Sequence, residues 1–487
     1  MLCVAAAKSQ QVTYSGVSKK EIATNLSFEI IGKVGKNYLV LKNNSHENVI
    51  QVFDQNMQQL SYKPASFLPQ GTTSKTLINY PDRVMIICEY SDGQKLYTEA
   101  ITIDEYGAPT GSVVLDSVNS YNVIYSDNKK NILLYMFDMD TLGNTRINTR
   151  LYDGDLTTVE EYSSFVKLSP KMESYKNFLL ANDGTFSFTV SNQRMQKNEK
   201  LHGLDIIVRK PKTSRYVRVP VSFGNYYCGP LHMSVDNVNN RFLMNGLFSS
   251  ERAGFYQLGL FTAVMHGTNY QVSNRFLYFS KELLRSKDTT NPAVLSKDFK
   301  IQNIILKKDG SFIVVAEKSP KRKVYAAPQP RYTPDITDKL YDPFMQNWAA
   351  RRLWYYPDRK TGFGMQDYYV RELFHDILFL DIGSDLKLKN SEVISKNQNG
   401  DFNFSSFGLM NRGQKIDLFY LDDLKKTQLV NSRSFTADGH MANNPTLRTY
   451  QKGHSFMPRH MKQVSATEAL IPTIYKGRIA FARLTFE

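Results

Sequence analysis

A short turn rich in Asn, Asp, Gly and Lys, followed by five to eight residues dense in β-branched, aromatic and Leu side chains, recurs along this chain. It reads as Lys36-Asn37-Tyr38-Leu39-Val40-Leu41, as Asp82-Arg83-Val84-Met85-Ile86-Ile87-Cys88, and as Asn128-Lys129-Lys130-Asn131-Ile132-Leu133-Leu134-Tyr135. It returns at Asp183-Gly184-Thr185-Phe186, Asn239-Asn240-Arg241-Phe242, Asp309-Gly310-Ser311-Phe312 and Gly413-Gln414-Lys415-Ile416. Such runs are too short for helices and are bounded by turn residues, so they read as strands. Outgoing partners such as Val49 to Asp54, Ala100 to Asp104 and Ile377 to Asp381 each end near an Asp, a residue whose side chain closes turns.

Measured from Lys36, Asp82, Asn128, Asp183, Asn237, Asp309 and Arg412, the intervals are 46, 46, 55, 54, 72 and 103 residues. A period of about 40 to 50 residues, each holding several short strands, is the spacing of propeller blades. One four-stranded sheet cannot cover both of its own faces, and blades stacked face to face supply the cover. The fold expected is therefore all-β, a single seven-bladed β-propeller. Its blades fall near 26–70, 74–118, 121–170, 172–227, 229–285, 299–395 and 402–487, with six or eight blades as alternatives. Val12 to Tyr14 is expected to close the last blade against Ala480 to Phe486. The runner-up is two tandem β-domains divided near residue 290, where Lys281 to Lys300 is polar. Helical signal is best at Leu340 to Leu353, between Pro334 and Pro357.

Composition agrees with strands. The 487 residues are 41% apolar and 22% charged, with 29 Tyr, 29 Phe and only two Trp, and rings pack well on a pleated surface. The formal charge of +15 is scattered, so it describes a surface more than a tail. Cys3, Cys88 and Cys228 lack any C-x-x-C spacing, which supports neither a disulfide framework nor a thiolate zinc site. Cys88 and Cys228 read as small buried residues, although one bridge between them is open in an oxidising compartment. No run reaches the roughly 18 to 20 apolar residues of a membrane span. Residues 1–11 begin Met-Leu-Cys-Val-Ala-Ala-Ala, which reads as the end of a secretory signal with its small-residue cleavage zone, leaving 12–487 as the propeller.

The stretches Ile304 to Glu317, Asp376 to Asp381 and Ser405 to Leu409, with Phe456 to Ser465 and Arg478 to Leu484, resemble a group of secreted or envelope β-propeller-like repeat proteins of Gram-negative bacteria. The resemblance covers mainly residues 300–487 and rests on turns and strands. No activity or functional residue is assigned to the group. What the resemblance implies is an envelope location and a propeller-like fold.

The segment 318–372, an insertion in the sixth repeat, is the most distinctive. It holds eleven basic residues and both tryptophans. Trp348, Arg351, Arg352, Trp354, Tyr355, Tyr356, Tyr368 and Tyr369 form the candidate binding set, because cations among exposed rings anchor protein interfaces or stack on planar ligands. The competing reading is a Pro-punctuated loop that packs its own rings. Six acidic residues, among them Asp335, Asp338 and Asp342, dilute the charge and disfavour nucleic acid. Of the eight histidines only His440, His454 and His460 cluster, without the spacing of a metal site, so no metal or cofactor is expected. Nucleophile motifs are absent, Asp422 and Asp423 read as a turn, and Asn182-Asp183-Gly184-Thr185-Phe186 resembles an Asp-box turn without its trailing Trp. No catalytic residue is assigned. The function expected is a non-enzymatic binding or scaffold role in the bacterial cell envelope, periplasmic or at the cell surface, holding a protein or glycan partner. The alternative is a carbohydrate-active hydrolase or lyase with acidic residues gathered in the propeller channel.

Overall fold

The computed structural model describes residues 11–486 apart from 18–26, 44–46, 94, 140–144, 169–172, 193–200, 253, 285–292, 326–367, 399–403, 422–430, 437–438, 440, 444–450 and 452. The regular structure among the described residues is almost entirely strand, in eight sheets of four main strands plus two two-stranded pairs. Every sheet is antiparallel and its neighbouring strands mostly follow one another along the chain, the strand arrangement of β-propeller blades.

Blade 1 comprises Ser27–Val34, Asn37–Asn43, Asn48–Phe53 and Gln59–Pro64, and blade 2 comprises Ser74–Asn79, Val84–Ser91, Leu96–Ile103 and Pro109–Asp116. Blade 3 is Asn122–Tyr125, Asn131–Met139, Thr145–Asp153 and Thr158–Val166, and blade 4 is Glu173–Leu180, Phe186–Asn192, Gly203–Arg209 and Val217–Ser222. Blade 5 has a first strand in two pieces, Tyr227–Cys228 and His232–Asp236, then Arg241–Ser249, Gly259–His266 and Val272–Tyr278. Blade 6 is Phe299–Leu306, Phe312–Lys318, Ile377–Ile382 and Leu388–Ile394. Blade 7 is Phe407–Asn411, Lys415–Tyr420, Asn431–Thr436 and Met441–Asn443. Blade 8 joins His454–Phe456 and Lys462–Gln463 to Glu468–Tyr475 and Arg478–Thr485, and takes its outer strand from Gln11–Tyr14. That closure is the expected one, with Val12 opposite Leu484 and Tyr14 opposite Ala482.

The count is eight, not seven. The segment 402–487 holds two sheets, because the second strand of blade 8 follows Ser465-Ala466-Thr467, a turn without the Asn, Asp or Gly that marks the others, and Pro472 interrupts its apolar run. Cys88 and Cys228 are both buried and both free thiols. The segment 340–353, read as helical, lies outside the described residues. Among the described residues no helix is long and apolar enough to cross a membrane.

The chain divides into two compact units. Blades 1, 2, 7 and 8 belong to unit 1, made of Met1–Ser120, Pro320–His375 and Lys396–Glu487. Blades 3 to 6 belong to unit 2, Tyr121–Ser319 and Asp376–Ser395, so the chain does not divide near 290. The polar stretch there carries a single turn of helix, Lys281–Leu284, and a short strand, Leu295–Ser296, paired with Tyr256–Gln257.

Within each unit, apolar clusters fill the space between successive blades. Unit 2 has one between blades 3 and 4, one between 4 and 5, and one between 5 and 6; unit 1 has them between 7 and 8, 8 and 1, and 1 and 2. A sheet covered on both faces needs apolar side chains in both directions, which is why Arg241–Ser249 is buried along its whole length and reads as a run rather than an alternation.

Polar contacts then lock the registers. In blades 1, 2 and 3 the turn after the third strand is built alike. Asp54, Asp104 and Asp153 each accept two backbone N–H bonds through Oδ1, from Asn56 and Gln58, from Tyr106 and Ala108, and from Asp155 and Thr157. The turns between first and second strands latch neighbouring blades. Gly35 N donates to Pro81 O (2.7 Å), Asn128 N to Asn182 Oδ1 (3.1 Å) and Asn182 N to Asn237 Oδ1 (2.7 Å), while Arg241 donates to Gly310 O. The Asp-box-like residues are thus a latch: Asp183 closes the turn on Thr185 N and Asn182 ties blades 3, 4 and 5 together.

Candidate functional site

Of the predicted binding set, Trp348, Arg351, Arg352, Trp354, Tyr355 and Tyr356 lie outside the described residues. Tyr368 and Tyr369 open the strand Tyr368–Glu372, which pairs with Lys321–Tyr325 at the root of the insertion. Below that hairpin the chain is pinned. Leu373 N donates to Pro320 O, and Phe374 is buried with the Arg459 guanidinium 5.0 Å and the Lys396 ammonium 5.8 Å from its ring centre. Gln398 seals this foot: its amide donates to Leu421 O (2.6 Å), while its oxygen accepts from Ser406 N and Lys396 Nζ (both 2.7 Å).

The described residues place a different aromatic group at one end of blade 5. Strand polarity brings together the start of Tyr227–Cys228, the end of Arg241–Ser249, the start of Gly259–His266 and the end of Val272–Tyr278. Four rings meet there. Tyr226 lies 5.0 Å from Phe248 and 5.0 Å from Phe276, and Phe248 lies 5.3 Å from Tyr278 at an interplanar angle of 87°. Such edge-to-face contacts match the positive rim of one ring to the negative face of the next. Gly259 makes this row. It sits between Phe248 and Tyr278 across the sheet, and a Cβ there would fall 2.6 Å from Phe248 Cε1 and closer still to Leu277 O. Gly259→Ala is therefore expected to lower thermal stability by about 1–3 kcal/mol through overpacking and to expose Tyr278 further, checked by unfolding and by tyrosine quenching.

The group grades from core to solvent. Phe248 is fully buried and Tyr226 half-buried, whereas Tyr278 is 55% exposed. In the loop between the second and third strands at the same end, Phe255 is 66% and Tyr256 47% exposed. Tyr226 and Tyr278 share a hydroxyl–hydroxyl hydrogen bond, which holds the Tyr278 phenol protonated above its ordinary range. From blade 4, exposed His202 lies with Nδ1 3.2 Å from Tyr226 O, donating when that nitrogen carries the proton, and its ring is 5.2 Å from Tyr227. The Lys297 ammonium stands 4.3 Å from the Phe255 ring centre. The result is a packed group of rings that carries the paired Tyr226 and Tyr278 hydroxyls at its edge. The sequence signal for it was Gly224-Asn225-Tyr226-Tyr227-Cys228-Gly229-Pro230, a tyrosine pair set among turn residues.

Burial raises the pKa of Glu29, on the first strand of blade 1, while Lys462 and Lys75, on the first strands of blades 8 and 2, lower it. This is one carboxyl between two cations, not a carboxyl pair. Asp422 and Asp423 lie outside the described residues. Of the histidine cluster, His440 also lies outside; His454 stacks between Tyr14 (4.3 Å) and Tyr475 (4.5 Å), and His460 meets Phe28. Among the described residues no three His, Cys, Asp or Glu gather as a metal site.

No family model and no curated protein matches the chain. Among solved structures it is similar to the polysaccharide lyase Uly1, at 10% identity over 88% of this chain and 91% of that one, TM-score 0.38. It is similar to a prolyl endopeptidase at 9% identity over 94% of this chain, TM-score 0.41, and spans 55% of that protein's length. The β-propeller domain of the Trilobed protease from Pyrococcus furiosus gives 10% identity, 91% and 97% coverage and a TM-score of 0.36.

Proposed function

We propose that this chain is a non-enzymatic binding or scaffold protein of the bacterial cell envelope, periplasmic or at the cell surface, that holds a protein or glycan partner on exposed aromatic rings. The observation that carries the reading is the end of blade 5, where Phe255, Tyr256 and Tyr278 stand 47% to 66% exposed. Scattered apolar side chains are ordinary on a surface, but three exposed rings on one blade, of which Tyr278 is held by the buried Phe248, suit a contact surface. Rigid rings bind with little ordering cost, which suits a binding module. Trp348, Arg351, Arg352 and Trp354 of the insertion 318–372, residues of the same chemical types, belong to the same reading.

The test is retention of envelope material by the immobilised full chain. Tyr256→Ser with Tyr278→Ser is expected to cut retention several-fold while shifting the melting temperature by less than about 3 °C, since both side chains are largely outside the core. Undiminished retention in this variant and in the variant with Trp348, Arg351, Arg352 and Trp354 replaced by Ala would sink the reading.

A further inference from the structure

We propose that the outer strand of blade 2, Pro109–Asp116, is a docking edge for an extended segment of a protein partner that alternates β-branched residues with arginine or lysine. This surface lies apart from the rings of blade 5 and does not depend on them. An outermost strand pairs on one side only, so its other side presents N–H and C=O groups to a chain that can add to it. Here residues 109–114 are all exposed, and Val113 and Val114 are each 51% exposed. Register shifts at Thr98/Glu99 and Thr102/Ile103 bound a regular stretch in which Gly111, Ser112, Val113 and Val114 face Thr102, Ile101, Ala100 and Glu99. Bulges guard an edge by twisting it away, and these two fall at the ends and leave the middle regular. Charge is the other common guard. Five of the six outer strands longer than four residues carry it, at Lys63, Glu160, Arg218, Arg275 and Lys389 among others. Blade 2 is the sixth: from Pro109 to Leu115 its outer strand has no charged side chain.

The two faces of this edge ask for different side chains. Register sets Val114 directly opposite Glu99, and sets Tyr97, one pleat along from Glu99, opposite Tyr90. One face of the sheet therefore carries Val114, Glu99, Tyr97 and Tyr90 together. Tyr90 donates to Glu99 Oε2 (3.0 Å) and stacks on Tyr97 with ring centres 5.2 Å apart, which holds the carboxylate in place. A strand added beside Val114 lies two strand spacings, about 10 Å, from the strand of Glu99. A lysine or arginine reaching inward and the glutamate reaching outward span that distance together. Lys75, on the same face but on the first strand, is turned to blade 1, with Nζ 3.4 Å from Asn48 Oδ1. The opposite face has Val113 beside Ala100, where a β-branched residue packs. Residues 96–120 hold Glu99, Asp104, Glu105 and Asp116 and no lysine or arginine, in a chain of formal charge +15. A basic segment is drawn to that part of the blade, whereas a second copy would bring an uncharged strand to Glu99 and a like overall charge.

The probe is a short fluorescent peptide of alternating valine and arginine, titrated into the full chain by anisotropy beside peptides with glutamine or glutamate in place of arginine. The arginine peptide is expected to bind most tightly and the glutamate peptide least. Glu99→Gln keeps an acceptor for Tyr90 and removes the charge, so it is expected to weaken the arginine peptide about 5-fold and to leave the glutamine peptide unchanged. Backbone N-methylation of the arginine peptide is expected to weaken it at least about 10-fold, because the ladder to the edge cannot form. Val114→Lys is expected to weaken it by a similar factor, with the melting temperature moving by less than about 3 °C because the side chain is exposed. Absence of binding by the arginine peptide would overturn the inference, as would equal binding of the arginine and glutamate peptides or an affinity that neither Glu99→Gln nor Val114→Lys changes. A dimer in sedimentation that Val114→Lys dissociates would assign the edge to a second copy and overturn it too. Retention through Tyr256 and Tyr278 is a separate measurement, so failure at blade 2 leaves the reading of blade 5 standing.

Discussion

Glu160→Ala should destabilise unit 2 by about 3–5 kcal/mol, the cost of leaving a buried guanidinium without its counter-ion. Arg209, at the end of the third strand of blade 4, has a side chain only 6% exposed. It forks onto Glu160 on the outer strand of blade 3, with Nη1 and Nη2 at 3.1 and 2.6 Å from the two carboxylate oxygens. Its Nε donates to Thr213 O (3.1 Å), and its planar group lies 3.5 Å from the Tyr162 ring centre. Glu160 also accepts from Lys212 N (2.8 Å), and Tyr162 donates to Ser214 O (2.6 Å). Removing the carboxylate orphans the cation and a backbone N–H together, whereas Arg209→Met with Glu160→Leu removes both charges and should recover much of the loss. Urea unfolding of the two variants decides it. If Glu160→Ala costs less than about 1 kcal/mol, the clamp behaves as a surface ion pair and blades 3 and 4 are held by their apolar cluster alone.

That clamp was not legible in the sequence, although the blades it joins were. The first six blades begin and end within a few residues of where turn chemistry placed them, because the turn residues do the same physical work each time: Asp54, Asp104 and Asp153 cap the same turn, and Asn128, Asn182 and Asn237 occupy one latch. Closure by Val12 to Tyr14 was legible for a related reason, since a strand buried against Leu484 must be apolar on that side. The eighth blade was hidden where its turn uses Ser465, Ala466 and Thr467, which carry a weaker turn signal. Site chemistry was harder still. Tyr226, Phe248, Phe276 and Tyr278 are spread over 53 positions and meet only because strand ends meet, and Gly259 resembles any strand glycine without its neighbours across the sheet. The insertion drew notice because its rings and cations are contiguous, whereas a site assembled from separate strand ends has no local signature.

Acid should weaken unit 1 well before ordinary carboxylates titrate. Burial, assisted by the neighbouring Arg459 charge, pulls the His460 imidazole down to about 3, and burial also lowers His454, stacked between Tyr14 of the closing strand and Tyr475. A histidine with a depressed folded pKa stays neutral in the fold while the unfolded chain takes up a proton near pH 6.5. Its contribution to stability is therefore complete above that pH and is lost as pH falls toward the folded value. The slope is at most about 1.4 kcal/mol per pH unit for His460, so up to about 2.7 kcal/mol should go between pH 6.5 and 4.5. Glu468, held low by Lys33 (2.7 Å), Tyr38 and Arg483, adds its own loss only below its unfolded pKa near 4.5, so the upper window isolates the histidines. Glu29, raised by burial, works in the opposite sense and gains on protonation, which makes the difference between variants more telling than the absolute curve. His460→Gln should flatten the decline of the urea midpoint between pH 6.5 and 4.5, and His454→Gln should flatten it further. Parallel curves for the original chain and His460→Gln would show that His460 takes its proton in the folded state and that its contact with Phe28, ring centres 5.8 Å apart, does not keep it neutral.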